Sequence, residues 1–95
     1  MDISDFRTVI AVTETGSITA AAKLLCRVPS AIKTRVQNLE HHLGVVLFIK
    51  TGRRFIPTTA GLALYENALK IVELVTTAEQ QAALLPPSWY GVKKA

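Results

Sequence analysis

Glycine and proline are sparse in this sequence, and their positions divide it into segments with different periodicity. Gly16 and Gly44 each follow a segment with apolar residues at three- and four-residue steps, and glycine there commonly ends a helix. Pro29 lies where a helix tolerates proline best, in its first turn. Pro86 and Pro87 stop the last segment. These positions predict four helices, over residues 2–15, 19–25, 29–43 and 59–85.

The second and third of these segments constrain the fold further. The second is the short run "AAAKLL", for which Thr19 is the natural N-cap. Its small side chains allow the helix to approach its neighbours closely, and about three residues connect it to the longer third segment. A short alanine-rich helix joined in this way to a longer amphipathic helix is the helix-turn-helix arrangement.

The third helix is predicted to have two different faces. Its apolar positions fall within about 60° on a helical wheel, and they are Ile32, Val36, Leu39 and Leu43. The opposite side carries Ser30, Lys33, Thr34 and Gln37. Hydroxyl, amide and ammonium groups contact base edges and phosphates, and a helix fits the major groove of B-form DNA. An ordinary solvated face explains the periodicity equally well, and the preceding short helix favours DNA contact.

A small hairpin is predicted after the third helix. The run "VVLFIK" is rich in β-branched and aromatic residues, and "FIPT" follows a turn over residues 51–54. Pro57 suits a short edge strand near its end. Because an isolated hairpin is marginal in water, it must pack on the helices. Arg53 and Arg54 would then protrude beside the third helix, where they can straddle a phosphate backbone or enter the minor groove.

The basic residues are concentrated in the same part of the chain. The formal net charge is +4. Residues 23–54 contain seven lysines and arginines against one glutamate, a balance of +6, whereas residues 1–22 balance at −2 and residues 55–95 at zero. Such concentration indicates a surface that faces a polyanion, and the alternative is a solvated basic face without a partner.

The last helix is predicted to be about 40 Å long, which exceeds the width of so small a domain. Its distal part should therefore project, and a bare apolar stripe there favours pairing with the same helix of a second copy. The predicted dimer face comprises Leu69, Val72, Val75, Ala78 and Ala82. Packing on its own domain is the alternative, and it is expected for the first half of the helix. Residues 86–95 are expected to be extended or disordered.

Other chemistries find little support. Cys26 is the single cysteine, so an intrachain disulfide is excluded, and we predict that it is a small buried residue. His41 and His42 are adjacent and give no metal pair. No nucleophile elbow, glycine-rich phosphate loop or carboxylate pair is present, so neither an enzyme nor a cofactor is expected. The acidic start and the lack of a long apolar run indicate a cytoplasmic protein.

Three blocks together resemble the N-terminal DNA-binding domain of LysR-type bacterial transcriptional regulators. They are "AVTETGSITAAAKLL", "LEHHLGVVLF" and "TGRRFIPTTAG", and the resemblance runs from Met1 to about Val75. It implies a mainly α fold, a winged helix-turn-helix over residues 1–58 with a two-stranded wing, followed by a linker helix over residues 59–85. It also implies a homodimer, or a higher oligomer, that binds pseudo-palindromic promoter DNA.

The resemblance carries over to individual positions. Thr19 would touch phosphate, the third helix would read bases, and the two arginines would serve the wing. The expected DNA-binding residues are Thr19, Arg27, Pro29, Ser30, Lys33, Thr34, Gln37, Arg53 and Arg54. The chain departs from the family where many members have Ser-Gln-Pro-Ala, because "VPSA" shifts the proline one place earlier.

The family normally attaches a larger effector-sensing domain after the linker helix. This chain is either an excised domain or a naturally short relative, and no small-molecule effector is expected on it. The alternative hypothesis is a helical protein-interaction module that dimerises with a partner regulator through its last helix. That module would share the dimer face but would not need the basic region.

Overall fold

The computed structural model describes residues 1–84 and shows four helices with one two-stranded antiparallel sheet. In chain order the elements are α1 (Ile3–Thr15), α2 (Ile18–Leu24), α3 (Pro29–Leu43), β1 (Phe48–Thr51), β2 (Arg54–Pro57) and α4 (Thr59–Ala83). This order confirms the predicted mainly α fold with a two-stranded wing and a long last helix. The predicted tail over residues 86–95 lies outside the described residues.

Local sequence accounts for most helix ends. Asp2 and Asp5 form a capping box at the start of α1, in which each carboxylate accepts the other residue's backbone N–H. Gly16 and Gly44 follow α1 and α3 in the left-handed conformation, with φ of 67° and 70°. Pro29 is the first residue of α3, as predicted.

The predicted N-cap of α2 was wrong. The helix begins at Ile18, and the Ser17 hydroxyl accepts the Ala20 N–H at 3.1 Å. The Thr15 hydroxyl donates to the Ala11 carbonyl at 2.7 Å and accepts the Ser17 N–H at 3.3 Å, so it links the last turn of α1 to the turn before α2. Thr19 therefore lies inside the first turn of α2, and its exposed side chain is not used for capping.

The core lies between the first three helices and the segment that enters β1. Its buried side chains are Val9, Ala11, Val12, Ala21, Ala22, Ile32, Val36, Leu39, Leu47 and Phe48. Ala21 and Ala22 of α2 are fully buried, which confirms that small side chains bring this helix close to its neighbours. Leu43 was predicted on the apolar face of α3 but is 36% exposed, because it lies in the last turn beyond the packed region.

Cys26 was predicted to be buried, and that prediction was wrong. The side chain is exposed, and the residue has a φ of 54°, in the left-handed region. Cys26 follows the C-cap of α2, where the chain reverses toward α3. A tight reversal after a helix commonly needs one left-handed residue, and at this position the side chain points away from the core.

Two polar side chains fix the hairpin and α4 relative to α3. The Glu40 carboxylate, near the end of α3, accepts the backbone N–H groups of Leu47 at 2.7 Å and Phe48 at 3.3 Å. The Thr58 hydroxyl donates to the Val46 carbonyl at 2.6 Å and accepts the Gly61 N–H at 3.1 Å. The predicted Thr58 cap is confirmed, and it also joins α4 to the segment that enters the sheet.

The two halves of α4 differ in burial. Ala68 is fully buried, while Leu64 and Tyr65 pack against the core, and the Tyr65 hydroxyl donates to Glu14 of α1 at 2.8 Å. From residue 78 to residue 84 every side chain is exposed. The prediction that the distal part projects is confirmed. The helix ends at Ala83, two residues earlier than predicted.

Candidate nucleic-acid interface

The polar side of α3 is free, as the periodicity predicted. Ser30, Lys33, Thr34 and Gln37 are all exposed. The opposite side holds the helix in place through Ile32, Val36 and Leu39, each at most 4% exposed. Because the buried side fixes the rotation of the helix about its axis, these four polar side chains share one outward direction.

The hairpin brings further positive charge next to this face. Lys50 pairs with Phe55 across the two strands and Phe48 pairs with Pro57, so these side chains share one face of the sheet. That face borders a hollow between the hairpin, α3 and the start of α2. Its lining includes Ser17, Thr19, Lys33, Phe48, Lys50, Gly52, Arg53 and Phe55. We call it the wing hollow.

The wing hollow unites three predicted residues and adds one. Thr19, Lys33 and Arg53 come from three separate elements and line it together. Lys50 was missed by the sequence prediction, although strand alternation from the buried Phe48 would have placed it on the same face. Three cations, Lys33, Lys50 and Arg53, therefore border one open surface, and no ion pair neutralises them within residues 1–84.

Arg54 has a different position from its neighbour. Thr51 pairs with Arg54, so the turn consists of Gly52 and Arg53 alone, and Arg54 is the first residue of β2. Its guanidinium lies beside the turn between α1 and α2, where a Cβ added at Gly16 would be 3.4 Å from Arg54 Nη2. The two adjacent arginines were predicted at one tip, and the structure brings only Arg53 to the wing hollow.

The opposite flank of α3 carries mixed charge. Arg35 Nη1 donates to Asp5 Oδ1 at 2.9 Å and lies 3.4 Å from Asp2 Oδ1. One of the seven cations of the basic region is therefore neutralised inside the molecule. Partial burial acts to raise the pKa of the Asp5 carboxyl, but hydrogen bonds from the Asp2 backbone and the Arg35 guanidinium outweigh it and hold that pKa below its ordinary value of 3.8.

This depressed pKa predicts a pH-dependent contribution to stability. Asp5→Asn should lower the free energy of unfolding by about 1 kcal/mol at pH 7, because it removes a negative charge from the first turn of α1 and from Arg35. A carboxyl with a lowered pKa in the folded state stabilises above its unfolded pKa, and the stabilisation is lost as the pH falls through the folded value. Urea unfolding at pH 7 and pH 3 should show the difference between the two proteins shrinking at pH 3.

The exposed carboxylate Glu66 on α4 provides the matched control for this measurement. Glu66→Gln makes the same chemical change without a cation partner among the described ion pairs. It should change the free energy of unfolding by no more than about 0.5 kcal/mol at either pH. An Asp5→Asn deficit that stays constant between pH 7 and pH 3 would contradict the assignment.

Arg27 and Pro29 lie near the start of α3, and both are exposed. Pro29 is the first residue of α3, at the N-terminal end of its polar face. Arg27 is in the turn before it and lines a separate hollow with Arg7 of α1 and Arg35. The structure therefore places Arg27 on the flank of α3 opposite to the wing hollow.

The predicted dimer residues are distributed along α4 and differ in exposure. Leu69 is 39% exposed, Ala78 and Ala82 are exposed, and Val72 and Val75 are half-buried within the single chain. Leu74 and Leu84 are more exposed than Leu69, at 68% and 83%. The exposed apolar area thus extends over the distal half of the helix.

Residues 1–84 contain neither of two other kinds of site. In this part of the chain, no three histidine, cysteine, aspartate or glutamate side chains lie close enough together to hold a metal ion. None of the helices described there has both the length and the apolar character needed to cross a membrane.

Comparison with known proteins places this geometry in one family. Residues 3–62 match the family model described as bacterial regulatory helix-turn-helix protein, lysR family. The transcriptional regulator AceR of Acinetobacter baumannii is 40% identical over 75 residues, which cover 79% of this chain and 25% of AceR. YofA of Bacillus subtilis is 37% identical over 84 residues, covering 88% of this chain and 30% of YofA. The chain therefore spans about a quarter to a third of the length of these relatives.

Solved structures show the same arrangement. The DNA-binding domain of CbnR, in a complex with DNA, superimposes with a TM-score of 0.82 at 36% identity, covering 87% of this chain and 95% of that one. The BenM DNA-binding domain, in a complex with catB site 1 DNA, gives a TM-score of 0.84 at 30% identity, covering 87% and 92%. Both similarities extend over the helices and the hairpin that form the candidate interface.

Proposed function

Because this chain belongs to the lysR family of bacterial regulatory helix-turn-helix proteins, we propose that it binds specific sequences of double-stranded DNA in transcription regulation. Residues 1–58 form the DNA-binding domain, and α4 forms the linker and dimerisation helix. The observation that carries this proposal is the common surface of Lys33, Lys50 and Arg53 beside the exposed polar face of α3.

The dimensions and chemistry of that surface match a DNA duplex. A helix with its side chains is about 10–12 Å wide, close to the width of the major groove, which is about 12 Å. Ser30, Thr34 and Gln37 present hydroxyl and amide groups that can read base edges. Lys50 and Arg53 of the hairpin line the wing hollow together with Lys33 of α3, so they can contact the adjoining backbone or minor groove. Phosphate contacts of this kind fix the position of the reading helix on the duplex.

The exposed apolar side chains of α4 support a homodimer. Leu69, Leu74, Ala78 and Ala82 leave apolar area uncovered in a single chain, and Val72 and Val75 are at its half-buried edge. Two copies related by a two-fold axis would cover this area and present two α3 helices to two half-sites. Such a dimer is a DNA-binding protein and not an enzyme, and its location is the cytoplasm, which contains the bacterial DNA.

Salt dependence of DNA binding tests the proposal directly. The three unpaired cations of the wing hollow in each subunit give six per dimer, so affinity for a promoter duplex should fall with about the fifth power of the salt concentration or more steeply. Fluorescence anisotropy between 50 and 200 mM salt measures this slope, and an unrelated duplex of the same length measures specificity. A chain that sediments as a dimer but shows no binding at 50 mM salt would overturn the proposal in favour of a protein-interaction module.

A further inference from the structure

A second hollow flanks α3 on the side away from the hairpin. It has a volume of about 150 Å³ and lies between α1 and the turn that joins α2 to α3. Three arginines from three different elements line it, namely Arg7 of α1, Arg27 of the turn and Arg35 of α3. We call it the arginine hollow, and its lining also includes Ser4 and Ala31.

The three guanidinium groups are not equivalent. Arg35 is held by Asp5 and Asp2, the two carboxylates at the start of α1. Arg7 and Arg27 are exposed, and neither has an ion pair within residues 1–84. The pairing of Arg35 offsets the negative charge that would otherwise repel an anion from this flank. Two free guanidinium groups then face one small hollow, and their mutual repulsion favours occupation by an anion.

The arginine hollow adjoins the proposed reading face. Ala31 and Arg35 line it and also line a groove bordered by Ser30 and Thr34. A helix that lies in the major groove has a sugar-phosphate backbone along each of its sides. The wing hollow faces one of these strands, and the arginine hollow is on the other flank of the same helix. Continuity with the reading face therefore places its positive charge next to the second strand.

We propose that Arg7 and Arg27 bind a phosphate of the DNA strand that runs along the side of α3 opposite to the hairpin. This inference rests on the proposed DNA binding and adds α1 to the surface that contacts the duplex. Guanidinium groups suit this role because their planar forks can donate two parallel hydrogen bonds to one phosphate. With cations on both flanks, α3 is centred in the groove by contacts to both strands.

The test uses Arg7→Ala, Arg27→Ala and the double variant in the whole chain. Removing four phosphate-binding side chains per dimer should flatten the logarithmic salt slope by about 3 to 4 and weaken binding roughly 100-fold at 0.15 M salt. The weakening should be equal for promoter and unrelated duplexes, because phosphate contacts carry no sequence information. Lys70→Ala is the matched control, since Lys70 is an exposed cation on α4 away from both hollows, and it should leave the slope unchanged.

The charge-preserving variant Arg7→Lys/Arg27→Lys separates electrostatics from folding. It should restore the salt slope while recovering only part of the affinity, and circular dichroism of each variant checks that the helices persist. If Arg7→Ala/Arg27→Ala left the salt slope of DNA binding unchanged, the inference would be overturned. The proposed function would still stand if Lys50→Ala/Arg53→Ala flattened that slope. An NMR titration can show whether inorganic phosphate binds the arginine hollow. If phosphate bound there while the variants left DNA binding unchanged, the inference would be overturned and the hollow would be a small-anion site.

Discussion

Gly61→Ala is expected to destabilise the protein by about 2 kcal/mol, the cost typical of overpacking a tightly packed position. In an exposed helix the same substitution stabilises by about 1 kcal/mol, because alanine has the higher helix propensity. Gly61 is buried in the first turn of α4, and an added Cβ would overlap the carbonyl oxygen of Leu47 and lie 3.3 Å from Pro57 Cβ. The backbone on both sides is fixed, so the clash cannot be relieved by rotation of a side chain.

The expected cost arises from the contact between α4 and the segment that enters the sheet. To make room, α4 must move away from Leu47, and this strains the Thr58 hydrogen bonds to Val46 at 2.6 Å and to Leu47 at 3.2 Å. Urea unfolding followed by circular dichroism measures the change in free energy. Gly61→Ser should be at least as destabilising as Gly61→Ala, because serine adds the same Cβ and one further atom.

Gly44→Ala is the substitution that contrasts with Gly61→Ala. Gly44 has a φ of 70° and nothing within 4 Å of a built Cβ, so only backbone conformation opposes a side chain there. Gly44→Ala should lower the free energy of unfolding by about 1 kcal/mol, the usual penalty for a left-handed residue. If Gly61→Ala were as stable as the unchanged protein while Gly44→Ala lost this amount, close contact at Gly61 would not be a constraint on the fold.

The difference between these glycines shows what the sequence can predict. The helix end at Gly44 is specified locally, by an apolar period that stops and a residue that tolerates positive φ, so the helix boundary could be predicted. The requirement at Gly61 comes from Leu47, fourteen residues earlier in the chain, and no local pattern contains it. The same applies to Glu40, whose carboxylate binds the backbone before β1. Contacts between segments decide such positions, and they become visible only in the folded chain.

The candidate site also has features that the local sequence determines and features that depend on contacts between segments. The exposed face of α3 was predicted correctly because helical periodicity determines which residues point outward. The sequence predicts the same position for the two adjacent arginines of the hairpin, because it does not define the strand register. Once Thr51 pairs with Arg54, the alternation of side chains separates Arg53 from Arg54. Lys50 was missed although the alternation of side chains along a strand puts it on the same face as Phe48, two residues earlier.

Lys50→Ala/Arg53→Ala should weaken DNA binding roughly 100-fold at 0.15 M salt and flatten the logarithmic salt slope by about 3 to 4, because the dimer loses four phosphate contacts. These two side chains line the wing hollow without a carboxylate partner in residues 1–84, so their charge is available to a duplex. Anisotropy titrations with promoter and unrelated duplexes should show equal losses.

Arg54→Ala is the matched comparison, since it removes the same guanidinium one residue later. Its side chain lies beside Gly16 and outside the wing hollow, so we expect less than about a threefold loss of affinity. Thr34→Ala tests the reading face, and it should change the ratio of promoter to unrelated binding while leaving the salt slope intact. Equal losses for Arg53→Ala and Arg54→Ala would show that the strand register does not control which arginine meets the duplex. In that case the tip of the hairpin would act as a diffuse positive charge, and the direction of each side chain would be unimportant.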